Sequence, residues 1–293
     1  MINSGELEQA IHRDIGKRGL ETLFPIVCGS LQRSASLIQR CNSIAILTGF
    51  NIPPQETDGP PGAIALARAL SFLGKRAIFV ADDYCHDVLA AGIKASDQCY
   101  LNSASFPIEV FHKEVNDPEK ARMKSEALCR KYNVDCMISI EHVGPSYSDG
   151  RLYRMNGLDT TANEGYSYVF FETLDKINIP KVAIADGGNE LGCAKILDSL
   201  LDSSICKIPN IDKIACRTSC DELILAGVSN WGGYALSLLI SQTKEILCVD
   251  AERSILKAIV DAGAVDPRNG SAMFVDGLAF DPIHADVIAA LLK

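Results

Sequence analysis

From residue 43 onward, short apolar runs alternate with stretches of helical length, and this alternation constrains the fold more than any other feature. SIAILTG (43–49), RAIFVAD (76–82), VDCMISIE (134–141), KVAIAD (181–186), ELILAGVSN (222–230) and EILCVD (245–250) are the apolar runs. A strand with one face on a core alternates; a run apolar throughout fits a parallel strand covered on both faces. Between them, Pro60-Pro61-Gly62 opens a helix with Leu66, Leu70 and Leu73 on its apolar face, stopped by Gly74. Asp117 caps a second helix with Pro118 in its first turn, running to about Tyr132. Val169, Phe170, Leu174 and Ile177 mark a third, GYALSLLIS (233–241) a fourth, and an ILKAIV helix and one from about residue 283 follow. The expected fold is α/β: a mostly parallel, Rossmann-like sheet with helices on both faces, in three layers.

Ahead of the first strand, Leu7, Ile11 and Ile15, then Leu31, Ala35 and Ile38, repeat at helical spacing. Residues 1–40 are therefore expected to form a helical extension packed on a single α/β catalytic domain, 41–293. Residues 143–165 make a long, Gly-rich polar loop of the kind that serves as a lid or binding segment.

Composition removes several classes. Lys and Arg number 28 against 37 Asp and Glu, a net charge of −9, which argues against nucleic acid as a partner. A hydrophobic content of 47% is too high for a disordered chain. No run of 18 apolar residues occurs, so no membrane span is expected. The N-terminus carries early acids and does not read as a secretory signal. The 11 cysteines, an odd number without a CxxC pair, suit neither a disulfide framework nor a zinc site. Cys28, Cys85, Cys136, Cys193 and Cys248 sit mostly among apolar neighbours, so reduced thiols and a cytoplasmic location are expected.

In open α/β sheets, ligands bind beyond the carboxyl ends of the strands. Those ends carry Thr48-Gly49, leading to Glu56 and Asp58; Asp82-Asp83; Glu141-His142; Asp186, Asn189 and Glu190; Ser229-Asn230-Trp231-Gly232-Gly233; and Asp250. Clustered carboxylates repel unless a cation or bound protons neutralise them, and Mg²⁺ or Mn²⁺ prefers such oxygen donors. Glu141, Asp186 and Glu190 are the expected metal ligands, with Asp58 as a fourth candidate; helix caps and solvated acids are the competing reading. Backbone amides near Gly62, Gly188 and Gly232 are candidate anion acceptors at helix starts, or simply tight turns. Arg151 and Arg154 in the long loop either clamp a substrate carboxylate or remain solvated. His142 is a weak acid–base candidate. Trp231 either lines the pocket or packs beneath it. The P-loop, HExxH and GxSxG motifs are absent, and DGGNELG is not GxGxxG.

TGF…PPxETDGPPGA (48–63), IEHVGPS…DGRLYRMNG (140–157), ADGGNELGCAK (185–195) and VSNWGGYAL (228–236) occur in this order. The set resembles the D-glutamate cyclase family over roughly residues 20–293. The resemblance implies a carbon–oxygen hydro-lyase that converts D-glutamate to 5-oxo-D-proline and water with Mn²⁺ or Mg²⁺. In animals the domain resembled is the C-terminal part of a longer mitochondrial protein; here it reads as standing alone, without a transit peptide. With that reaction, Glu141, Asp186 and Glu190 hold the metal, Glu56 or Asp58 is the general base, and Asn189 orients a ligand or the substrate. Ser229, Asn230 and the Gly232 N–H take the α-carboxylate, Arg154 closes over the substrate, and Thr48, Gly49, Gly62 and Asn156 complete the substrate set. Rival readings are another Mn- or Mg-dependent hydrolase or lyase, such as a phosphatase, and a non-catalytic D-amino-acid-binding protein. The expected partner is a small amino acid, with no nucleic acid and no membrane; a homo-oligomer stays open.

Overall fold

The computed structural model describes residues 2–50, 55–101, 105–113 and 117–293, without the side chains of residues 174–177. The expected contribution of Leu174 and Ile177 to a helix face, and residues 51–54 of the loop after the first strand, lie outside the described residues. The chain opens with α1 (Ser4–Ile11), α2 (Ser30–Gln39), β1 (Ser43–Thr48), β2 (Gln55–Glu56) and α3 (Pro60–Phe72). Next come β3 (Arg76–Asp82), α4 (His86–Tyr100), β4 (Ile108–Phe111), α5 (Pro118–Tyr132) and β5 (Cys136–Ile140). After the long loop follow α6 (Tyr168–Ile177), β6 (Lys181–Ala185), α7 (Leu197–Leu201), α8 (Ile211–Ile214), β7 (Glu222–Leu225), α9 (Ser229–Ser241) and α10 (Val249–Asp261). β8 (Ala264–Val265), β9 (Phe274–Val275), β10 (Leu278–Ala279) and α11 (Ala285–Leu291) come last.

The main sheet has six parallel strands in the order β4-β3-β1-β5-β6-β7. Numbered along the chain, its strands run 3-2-1-4-5-6, the doubly wound order, with the direction of winding reversing between β1 and β5. The apolar runs are buried on both faces. Ile44 and Ile46 join one core with α1, α2, α3, α4, α9, α10 and α11. Ala45 and Leu47 join the other, with α5 and α6. The expected three-layer α/β architecture is present. No helix among the described residues is long and apolar enough to cross a membrane.

Local sequence explains the ends of the elements. Asn3 caps α1, its Oδ1 accepting from the Gly5 and Glu6 amides. Asp117 caps α5 in the same way, from Glu119 and Lys120. Glu8 on α1 accepts from the Gly29 and Leu31 amides at the start of α2 and so ties the two N-terminal helices together. Leu7, Ile11, Leu31, Ala35 and Ile38 are buried in the core that also holds Ile44 and Ile46. Ile15 lies beyond the end of α1 and is only half-buried.

Three expectations need correction. EILCVD (245–250) is a turn leading into α10, not a strand. Asp250 and Glu252 lie in the first turn of that helix, where acids favour the N-terminus, and Asp250 is exposed and paired with Arg253. The sixth strand is instead β4, an edge strand whose IEVF is partly exposed and too mixed in polarity to stand out. It is preceded by α4, which the sequence reading also passed over. Finally, α9 begins at Ser229 rather than Gly233, because the SNWGG segment is already helical. All 11 cysteines are free thiols; eight are buried and Cys28, Cys99 and Cys248 are exposed, Cys28 and Cys248 contrary to their apolar neighbours in sequence. Trp231 is fully buried and donates to His284 Nδ1 at 2.9 Å, so it packs beneath the pocket.

Helices α3 and α9 cross at two glycines. A Cβ on Gly233 would stand 2.8 Å from the Gly62 Cα and 2.9 Å from its carbonyl carbon, closer than packing allows. Gly233→Ala must therefore separate the helices, with an expected loss of about 1–3 kcal/mol. Urea denaturation checks this; an unchanged midpoint and slope would contradict the close crossing.

Candidate active site

The site lies where the winding reverses, at the carboxyl ends of β1, β5 and β6. A cleft of ≈ 580 Å³ opens there, within the range of small-molecule sites. Its wall includes Glu56, Glu141, Asp186, Asn189, Glu190, Arg154 and Asn156 from the expected set. Lys17, Arg18, Phe50, Met155, Arg268 and Asp276 also line it.

Each acid is placed by a local device. Glu141 directly follows β5 with φ of 46°, a left-handed backbone that a glutamate rarely adopts. Gly59 makes room for it: a Cβ there would meet the Glu141 Cβ at 2.9 Å. Asp186 directly follows β6. Glu190 folds back so that its Oε1 accepts from the Asp186 amide at 3.2 Å. Gly187 permits that turn, since a Cβ would reach Glu190 Oε1 at 2.9 Å. Glu56 is fixed by pairing of β2 with β8, in register with Val265. Asp58 faces the N-terminus of α9, accepting from the amides of Ser229 at 3.0 Å and Asn230 at 2.8 Å. Asp276 sits at the Asp276-Gly277 turn of the β9–β10 hairpin, both residues with positive φ.

The ligand oxygens of Glu141, Asp186 and Glu190 lie within 4.8 Å of one another; so do those of Glu56, Asp58 and Glu141, and those of Asp58, Asp186 and Asp276. The six side chains are buried or nearly so, and they share one buried cation. Arg18 donates to Asp186 Oδ1 at 2.7 Å and Oδ2 at 3.1 Å and also pairs with Asp276. It is held out by Asp14, whose carboxylate accepts from the amides of Arg18, Gly19 and Leu20.

The crowding is legible in the ionisation. Burial, then the charges of Asp58 and Asp186, push the Glu56 carboxyl well above the usual range. Burial and Asp186 do the same to Asp58. Glu141 is raised by burial and by Asp186 and Glu190. Glu190 is raised to about 7 by burial and Asp186. Burial works against the Arg18 charge, but Asp186, Glu141 and Asp58 hold its pKa above the ordinary value. An all-oxygen, over-negative donor set of this kind fits a hard divalent cation.

The remaining expected residues are placed differently. Ser229 stands behind the acids; its Oγ donates to Glu141 Oε2 at 2.5 Å and its amide to Asp58 and Asp186. The Asn230 side chain is committed internally, accepting from the Gly59 and Gly62 amides and donating to Thr57. Thr48, Gly49 and Gly62 do not line the cleft, and Gly232 packs against Ile184 in the core. The N-terminus of α9, expected to receive a substrate carboxylate, is instead occupied by Asp58 and Asp186. Asn189 lines the cleft and ties in the long loop, its Nδ2 donating to the Tyr153 carbonyl at 2.8 Å. Arg154 lines the cleft with its Nε buried and unpartnered, whereas Arg151 is exposed and paired with Asp159. His142 is buried away from the cleft against Ser167, and burial lowers its pKa to about 4.

Sequence reasoning passed over Arg18 and Asp276. Nothing in one sequence separates Arg18 from the other surface-like basic residues near the N-terminus. The Asp276-Gly277 turn between apolar pairs was a readable hairpin signal.

The model of the D-glutamate cyclase-like, C-terminal family matches residues 7–292. The chain belongs to that family. The curated human protein D-glutamate cyclase, mitochondrial, is 28% identical over 321 residues, an alignment that takes in 98% of this chain and 51% of that protein. The chain thus spans about half the length of this relative.

Glu190 gives a test of the crowding in metal-free protein. Its folded pKa of about 7 lies above the 4.5 of an ordinary glutamate, so the folded state holds its proton longer as pH rises. The stability this carboxyl contributes is full below 4.5 and is lost as pH rises through 7. Glu190→Gln should therefore gain on the parent between pH 5 and 8, by on the order of 1–3 kcal/mol. Denaturation midpoints across that range check it; a difference independent of pH would show that Glu190 does not carry the raised pKa.

Proposed function

We propose that this chain is a divalent-metal-dependent lyase that cyclises D-glutamate to 5-oxo-D-proline with release of water. The observation that carries the reading is the union of family membership with a cleft whose floor is acidic and whose rim is basic. Glu141, Asp186 and Glu190 would hold the cation, Mn²⁺ or Mg²⁺. When bound, it supplies positive charge against the substrate γ-carboxylate and makes that carbon a better electrophile.

The chain's own residues do the rest. Arg154, with Lys17 and Arg268 beside it on the rim, binds the α-carboxylate as a charge-assisted partner. That places the α-amine toward the acids. Glu56 faces the cleft with no hydrogen-bond partner for its carboxylate among the described residues, and it takes a proton from the α-ammonium at an Oε atom. Asp58 is the weaker candidate because both of its oxygens accept backbone amides. The nitrogen then bonds to the γ-carboxyl carbon, and the two protons it loses leave on the departing oxygen as water. Ring closure within one held molecule has little freedom left to lose; positioning of this kind is worth up to about 7–11 kcal/mol. Phe50 and Met155 in the wall exclude water from the reacting atoms. Eleven free thiols support a reducing compartment such as the cytoplasm.

Incubation with D- or L-glutamate, with and without Mn²⁺, followed by mass spectrometry, tests the reading. 5-Oxoproline should form from the D enantiomer and only with metal; full turnover after chelation would refute the metal dependence. Phosphomonoesters serve as the control, since the basic rim would suit them too. Asp186→Asn should lower kcat/KM by roughly 10²–10³-fold. Arg154→Ala should act mainly on KM, with kcat falling much less, because its contact is made in ground and transition states alike. An Arg154→Ala variant with unchanged KM would remove Arg154 from the substrate site.

A further inference from the structure

The acidic floor contains more donors than one ion requires. Of its three overlapping carboxylate sets, Glu141–Asp186–Glu190 is assigned above, and Asp58–Asp186–Asp276 is largely filled by Arg18. The third, Glu56–Asp58–Glu141, is not used as a set by the reaction. Its distinguishing feature is Glu56, which is only 7% exposed. Every other acid of the floor has a partner: Asp58 the Ser229, Asn230 and Gly59 amides, Glu141 the Ser229 hydroxyl, Glu190 the Asp186 amide, and Asp186 and Asp276 the Arg18 guanidinium. The Glu56 carboxylate has none among the described residues, and it lies beside Asp58 and Glu141 with its lone pairs free. Its side chain is almost wholly enclosed and its carboxylate faces the cleft, where an unpartnered charge is costly unless something compensates it.

Charge points the same way. When ionised, six carboxylates face one guanidinium, and a single divalent ion leaves the floor markedly negative. We propose that Glu56, Asp58 and Glu141 form a second divalent-cation place, sharing Glu141 with the first. The donors are hard oxygens, so the class is Mn²⁺ or Mg²⁺. Paired sites of this kind hold their ions about 3.5–4 Å apart. The second place is the weaker, because Asp58 already accepts three backbone N–H groups. Its occupancy also takes the Glu56 lone pairs, so an ion there stops Glu56 from accepting a proton. Turnover therefore passes through a maximum as Mn²⁺ rises. This last consequence rests on the cyclase reading; the binding of two ions does not.

Equilibrium dialysis and electron paramagnetic resonance with Mn²⁺ on the whole chain test the proposal. Two ions per chain should bind in two steps, the second step broadening the signal through magnetic coupling. Glu56→Gln should abolish the second step and leave the first within about threefold. One ion per chain, two uncoupled ions, or a Glu56→Gln variant that still binds two would overturn it. If circular dichroism shows that this variant fails to fold, the coupling in the unaltered chain decides alone. In the activity arm, turnover should fall about tenfold once the second place fills; undiminished turnover with two coupled ions would overturn the capping of Glu56. Two coupled ions with no 5-oxoproline at any Mn²⁺ concentration would sink the cyclase reading and leave the second place standing. Cyclase activity with one ion per chain would do the reverse.

Discussion

Six buried or near-buried carboxylates crowd one floor, and the mutual repulsion of those charges is the constraint that the surrounding structure answers. Three kinds of compensation are visible. Arg18 places a full positive charge against Asp186 and Asp276. The first amides of α9 point at Asp58 and Asp186, adding the partial positive end of a helix. The Ser229 hydroxyl donates to Glu141. Burial first, and then the neighbouring carboxylates, still hold the pKa values of Glu56, Asp58, Glu141 and Glu190 above the usual carboxylate range. Under the proposed reading, a bound cation would offset what remains.

This arrangement depends on the topology. The chain winds away from β1 in both directions, so the loops after β1 and β5 diverge and leave a crevice between them. Glu141 stands at one side of it and the Glu56–Asp58 segment at the other. Helix α9 enters beneath, and its approach is set by the Gly62–Gly233 crossing with α3. The N-terminal segment supplies Arg18 from outside the sheet. It is anchored by Leu7 and Ile11 in the core and shaped by Asp14. Packing and electrostatics are therefore coupled: a shift of α9 would move the amides that hold Asp58.

How much of this was readable follows from the range of each interaction. The apolar runs marked five of the six sheet strands, because burial on both faces leaves a continuous signal. β4 escaped because an edge strand is only partly buried, and EILCVD misled because four apolar residues fit a turn and helix start as well as a strand. Glu141, Asp186 and Glu190 were legible as a group because strand ends converge in any parallel sheet. What Asn230 and the α9 amides do was not legible. A helix N-terminus accepts an anion, but whether that anion is a ligand or Asp58 of the same chain depends on a contact 172 residues away in sequence. Arg18 was hidden for the same reason, its partner lying 168 residues on.

The separation of charge within the cleft bears on which ligands it can favour. Lys17 and Arg268 in the cleft lining are exposed and Arg154 is half-buried, while the acids are buried or nearly so. A monoanion gains at the rim and is repelled by the floor. A simple cation gains at the floor and is repelled at the rim. An amino dicarboxylate carries a carboxylate for the rim, an ammonium for the acids, and a second carboxylate that the floor tolerates only if a cation is present. Under the proposed reading, metal dependence and substrate choice would then be one electrostatic requirement. An ion held at the floor would also let the second carboxylate approach, so a shorter or uncharged side chain would lose the contact that the proposed reaction needs.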